Sequence, residues 1–149
     1  MSFLTPCKQK TGEILGRRKA VSIALALAVA LVLVAPLALA TCHHCNYGGA
    51  STACVTTDYP TSASGLVSST WRDYWLACFQ GHWDSYSTDV DCYLHKYSGE
   101  KIRTFTPPQP PSYGIGMTAE AWLCFERYGF CVLDASTYLY EDCHGYCQV

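Results

Sequence analysis

Cys42-His43-His44-Cys45 carries the densest chemistry in this 149-residue chain. Two cysteines separated by two residues are the arrangement of thiol oxidoreductases, where a neighbouring imidazolium stabilises the attacking thiolate. Those folds put a strand before the pair and a helix after it, and neither pattern flanks this motif, so a structural bridge is expected instead. With Cys143, Cys147 and His144, the same stretch holds enough sulfur and imidazole for zinc, but reduced thiols belong to another compartment. Processing opens a further option. A cut before Thr41 would leave a free amine on Thr41, and this nitrogen, two amides and the His43 imidazole can enclose Cu(II) in square-planar geometry. Thr41 and His43 are therefore the alternative metal ligands, while the primary expectation is no metal and no cofactor.

A second group of residues points to proton transfer. Tyr93-Leu94-His95-Lys96-Tyr97 has the spacing Tyr-x-His-x-Tyr and resembles the histidine-bearing strand of small fungal guanine-specific ribonucleases. The resemblance implies His95 as a catalytic group, Glu120 as base, Arg127 as phosphate contact and His144 as acid. A carboxylate and an imidazole would then move the protons of RNA transphosphorylation. Read from the residues alone, His95 is a cross-strand neighbour of Ile102. Leu133-Asp134-Ala135-Ser136-Thr137-Tyr138 resembles the tyrosine-corner stretch of immunoglobulin-like domains. No Gly-rich phosphate loop, G-x-S-x-G elbow or zinc-protease motif occurs, so the chain reads as a binding protein rather than an enzyme.

What positions these groups begins with the apolar run Ala20–Ala40. Lys8, Lys10, Arg17, Arg18 and Lys19 precede it against one Glu13, and Ala38-Leu39-Ala40 closes it. That is the layout of a secretory signal over residues 1–40, cut before Thr41. Left uncut, 21 residues at about 1.5 Å each would span a bilayer and make a type II anchor with the same ectodomain.

The remaining residues, 41–149, carry five basic and eleven acidic side chains, a net charge of −6 with histidines neutral. An acidic domain is ill suited to neutralising phosphates, so nucleic acid is not the expected partner. The membrane is met only through the leader. Nine of the ten cysteines fall in this part, the density of a disulfide scaffold in an oxidising compartment. Nine implies about four bridges and one cysteine left over. That residue is a free thiol, a link in a disulfide-bonded dimer, or a reactive group.

Residues 41–106 form a cysteine-rich first part, 107–111 a Pro-rich spacer and 112–149 a cysteine-rich second part. Thr41–Ser69 reads as loops pinned by Cys42, Cys45 and Cys54. Thr70 with Asp73 suits a capping box, and Trp71, Trp75, Cys78 and Phe79 recur at helical spacing before Gly81. Asp91–Phe105 reads as a hairpin turning at Ser98-Gly99, with Lys96, Lys101 and Arg103 on one face and Tyr93 and Tyr97 on the other. Pro107-Pro108-Gln109-Pro110-Pro111 favours an extended polyproline spacer. A second helix runs from Thr118 through Trp122 to Gly129, followed by strands over Phe130–Leu133 and Thr137–Glu141. Cys124, Cys131, Cys143 and Cys147 can close among themselves, which would leave the odd cysteine in the first part.

The expected fold is thus a small disulfide-rich α+β domain: one β-hairpin, two short helices and C-terminal strands, stapled by about four disulfides. The expected function is that of a secreted, cysteine-rich and aromatic-rich binding protein, such as an effector in host interaction, a toxin-like factor or an extracellular ligand. It would recognise an extracellular protein or glycan through Lys96, Lys101, Arg103, Tyr93 and Tyr97. The alternatives are a small ribonuclease-like hydrolase and a membrane-anchored ectodomain.

Overall fold

Along Ser51–Asp58 and again along Ser62–Ser69 buried and half-buried residues alternate strictly, so Ser51, Ala53, Val55 and Thr57 face inward and their neighbours outward. Period two belongs to strands, and small or hydroxylated side chains on the inward face hid it in a sequence read by hydrophobicity. The computed structural model describes residues 41–149, and the secretory signal expected over residues 1–40 lies outside them. Ten strands make up 68% of the described residues, which contain no helix. The α+β expectation is therefore corrected to an all-β sandwich.

One sheet has four strands in the order β1 (Cys42–Tyr47), β2 (Ser51–Asp58), β3 (Ser62–Ser69) and β7 (Gly99–Phe105). The other runs β10 (Cys147–Gln148), β9 (Phe130–Asp142), β8 (Gly114–Phe125) and β4 (Tyr74–Trp83). Two short strands, β5 (Tyr86–Ser87) and β6 (Asp91–Lys96), share the remaining edge of β4. Every pairing is antiparallel.

Both expected helices are strands. In β4, Trp75, Ala77, Phe79 and Gly81 point inward while Tyr74, Leu76, Gln80 and His82 point outward. In β8, Ala119, Ala121 and Leu123 face the core and Glu120 and Trp122 face out. Apolar residues on both faces of each strand imitate a helical stripe, and tertiary pairing overrides the helix propensity of Ala, Glu and Leu. The expected hairpin is also corrected. Its two strands exist, but β6 pairs with β4 in one sheet and β7 with β3 in the other. Ser98-Gly99 is a crossing between sheets, with Tyr97 at φ 69° just before it. The Pro-rich stretch 107–111 likewise carries the chain from β7 to β8. The first and second parts meet within a single sheet, where β4 pairs with β8.

The core between the sheets is thin. Six alanines (53, 63, 77, 119, 121 and 135) are almost wholly buried there, and Trp75, Phe79, Ile115, Met117 and Leu139 fill the rest. Gly65 of β3 permits this close approach, because a Cβ there would come 2.6 Å from the Phe79 ring and 2.8 Å from Met117 Sδ.

Four disulfides join pairs of described residues and staple the sandwich, in line with the expectation of about four. Three are cross-strand pairs in direct register: Cys45–Cys54, Cys78–Cys92 and Cys124–Cys131. The fourth, Cys42–Cys147, joins β1 of one sheet to β10 of the other. Of the later cysteines Cys124 and Cys131 therefore pair with each other, while Cys147 reaches back to Cys42, so the later set does not close wholly on itself. No cysteine is free among the described residues, Cys143 included. Such a set of bridges is typical of extracellular proteins.

The two strands expected around Asp134-Ala135-Ser136 are one, β9, interrupted by a bulge. Ala121 pairs with Ala135 but Trp122 pairs with Leu133, so Asp134 is the extra residue. A bulge re-aims a side chain. Here the Asp134 carboxylate accepts hydrogen bonds from the Gly49 and Ala50 amides, both at 3.0 Å, and so holds the β1–β2 turn. Gly48 leaves room for it, since a Cβ there would strike the Asp134 backbone and carboxylate. Partial burial alone would raise the Asp134 pKa, but the amides of Ala50 and Gly49 and the contacts to Ser51 outweigh it and hold the group below its ordinary value.

Asp134→Ala strands both amides and is expected to cost about 2 kcal/mol of unfolding free energy, measurable by urea titration. With the folded pKa depressed, this contribution is present above the unfolded value near 3.9 and is lost as pH falls through the folded pKa. Acid unfolding of the wild type below about pH 4 should therefore be steeper than that of Asp134→Ala.

Candidate recognition surface

Strand register sets the outer face of the six-stranded sheet in transverse rows. One row is Leu133, Trp122, Leu76 and Leu94, from β9 through β8 and β4 to β6. Leu94 is 62% and Leu133 47% exposed, with Trp122 and Leu76 half-buried between them. An apolar row across four strands, open to solvent, is not what a free sheet face needs. Trp122 Nε1 donates to Glu120 Oε2 at 2.9 Å, so the indole is held in place.

The rows on either side differ. Toward the β8–β9 turn lie the Cys124–Cys131 bridge, Tyr74 and Lys96, whose Nζ sits 4.7 Å from the Tyr74 ring centre and 5.6 Å from that of Tyr97. The turn itself carries Tyr128 and Phe130, with Phe130 stacked on Phe125 at 5.4 Å. In the other direction come Ser136, Glu120 and the Cys78–Cys92 bridge, then Tyr138, Thr118 and Gln80. His82 Nε2 and Thr118 Oγ1 are 2.8 Å apart, and the Tyr138 ring meets His82 edge-on. Burial lowers the His82 pKa, so the imidazole is neutral at pH 7. Burial first, then the Asp84 charge, pushes Tyr140 up to about 12. This face thus joins an apolar band to hydrogen-bonding side chains.

The residues expected to bind divide between two places. Lys96 and Tyr97 adjoin the apolar row. Lys101 and Arg103 instead point inward from β7 along the open side of the sandwich, where Lys101 Nζ lies 4.2 Å from the Tyr93 ring centre. Arg103 pairs with Asp91 at 3.2 Å. Beneath that pair a cavity of about 300 Å³ opens between the sheets, lined by Phe79, Gly81, Phe105 and Met117.

The ribonuclease-like set does not converge. His95 faces inward, stacked on Trp75 at 4.5 Å, while Glu120 is on the opposite face of the same sheet. Arg127 is in the β8–β9 turn and His144 in the turn after β9. Tyr138 lies mid-strand on the outer face rather than at a corner. Of the alternative copper ligands, Thr41 is exposed and His43 is hydrogen-bonded to the outer face of β1 and β2. Cys42 and Cys45 belong to different bridges.

Comparison with protein-family models, curated proteins and solved structures finds no match. The row Leu133–Trp122–Leu76–Leu94 was not among the residues the sequence singled out. Its one signal was the excess of aromatics, because the four residues come from four strands and meet only through register.

Proposed function

We propose that this chain is a secreted, disulfide-stapled binding protein that recognises an extracellular protein through the outer face of its six-stranded sheet. The observation that carries this reading is the exposed row of Leu133, Trp122, Leu76 and Leu94. Aliphatic side chains flanking a fixed tryptophan suit an interface core, and Lys96, Tyr74 and Tyr97 supply a polar rim. The leader and the bridges support delivery to the cell exterior. A glycan is the competing partner, since Tyr138, Thr118, Gln80 and Glu120 adjoin the row.

The test is binding of labelled, disulfide-bonded protein to intact cells of its source and to a glycan array. Trp122→Ala and Leu94→Lys are each expected to weaken cell binding about thirty-fold, an interface hot-spot effect. Lys101→Glu with Arg103→Glu should change it much less. Loss of binding after protease treatment of the cells supports a protein partner. Loss only after glycosidase treatment, with array binding retained, assigns a glycan. Unchanged binding by both row variants, with thermal unfolding also unchanged, overturns this surface.

A further inference from the structure

His43 is placed against one particular bridge. Along β1, His43 and Cys45 are two residues apart and so share the outer face of the four-stranded sheet, opposite Thr56 and Cys54 of β2. His43 Nε2 is 3.2 Å from Cys45 Sγ, and His43 Nδ1 is 2.8 Å from Thr56 Oγ1. The imidazole and both sulfurs of Cys45–Cys54 lie within 4.8 Å of one another. A bonded sulfur carries no hydrogen, so only Nε2 can donate in that contact. In the neutral ring Nδ1 must then accept, which assigns the Thr56 hydroxyl as its donor. Thr56 thus fixes the tautomer that aims an N–H at sulfur. Among the described residues no side chain donates to either sulfur of Cys42–Cys147, Cys78–Cys92 or Cys124–Cys131. His43 is exposed and both cysteines are half-buried, so a small molecule can reach them.

We propose that Cys45–Cys54 is a thiol–disulfide exchange site for low-molecular-weight thiols, with His43 directing which sulfur leaves. A thiolate attacks Cys54 Sγ and forms a mixed disulfide there. The Cys45–Cys54 bond breaks, and its electron pair departs on Cys45 Sγ. That sulfur keeps the Nε2–H hydrogen bond and takes its proton from solvent. A second thiolate then attacks the outer sulfur of the mixed disulfide and releases the small-molecule disulfide and the Cys54 thiolate. Two thiols are oxidised and one protein bridge is reduced, with two protons passing from the thiols to the two cysteines. A stabilised leaving thiolate speeds exchange, which is why a donor at Cys45 selects both the bridge and the direction of attack.

The experiment treats the folded protein with glutathione, quenches with iodoacetamide before unfolding, and maps the cysteines by mass spectrometry. The expected result is that Cys45–Cys54 opens before Cys42–Cys147, Cys78–Cys92 and Cys124–Cys131, with glutathione on Cys54 and the alkyl group on Cys45. His43→Ala should slow this opening about ten-fold and spread glutathione over both cysteines, while the other three bridges keep their rates. Thr56→Val, which frees the ring to turn, should reduce the preference for Cys54 without altering the fold. First opening of another bridge overturns the proposal. So does an unchanged rate and attachment site in His43→Ala or, should that variant not fold, in Thr56→Val.

Discussion

Removing the Cys42–Cys147 bridge, by Cys42→Ala with Cys147→Ala, is expected to lower the unfolding free energy by about 4–5 kcal/mol. The bridge closes a loop of 105 residues, nearly all of the described chain, and a loop of that length restrains the unfolded ensemble most strongly. The three cross-strand bridges close loops of only 7, 9 and 14 residues. On the same reasoning each contributes about 2–3 kcal/mol. The long bridge is also the one of the four that ties the two sheets together, so its loss frees the edge formed by β1 and β10. Against a total stability of about 5–15 kcal/mol, its removal should leave the protein partly unfolded at 37 °C. Urea titrations of the double variant and of Cys45→Ala with Cys54→Ala provide the comparison. Equal losses in the two would mean that inter-sheet packing, not the covalent tie, restrains the chain ends.

Trp75→Ala is expected to cost about 3–5 kcal/mol. Trp75 is fully buried near the start of β4, its ring stacks on His95, and its Nε1 donates to the Tyr97 carbonyl at 2.7 Å. Tyr97 begins the crossing from the six-stranded to the four-stranded sheet, so this one side chain fills the core and also anchors the crossing. Trp75→Phe separates the two roles. It keeps most of the apolar volume but leaves the carbonyl without its donor, for an expected loss of about 1–2 kcal/mol. Thermal unfolding of the two variants measures both. A loss below about 1 kcal/mol for Trp75→Ala would show that the crossing holds without it.

Some of this architecture was legible in residue types. Nine cysteines behind a basic and apolar leader imply bridges, and four are present. The strands Asp91–Lys96 and Gly99–Phe105 stood out because their alternation is clean. Their partners did not, since two adjacent strands joined by a short turn normally pair with each other. Here Trp75 and Val67 offered better-filled positions in two different sheets. The strands β2 and β3 do not show as strands in the sequence because Ser, Thr, Ala and Gly make up most of their inward faces, with Val55 and Val67 the larger residues there, and the thin core leaves little room for more. The strands β4 and β8 read as helices in the sequence because each carries apolar residues on both sides. One side fills the core and the other forms the exposed row.

The chain's composition alone pointed to a cystine framework of the kind typical of extracellular proteins and to a surplus of aromatic surface, because these depend only on which residues are present. Folding decided which sulfur meets which, that His43 touches Cys45, and that four residues from β4, β6, β8 and β9 make one row. The physical reason is register. Side chains on a strand change face at every residue, so one inserted position, as at Asp134, changes what stands beside what. No local spacing records that choice, which is made by the strand alongside.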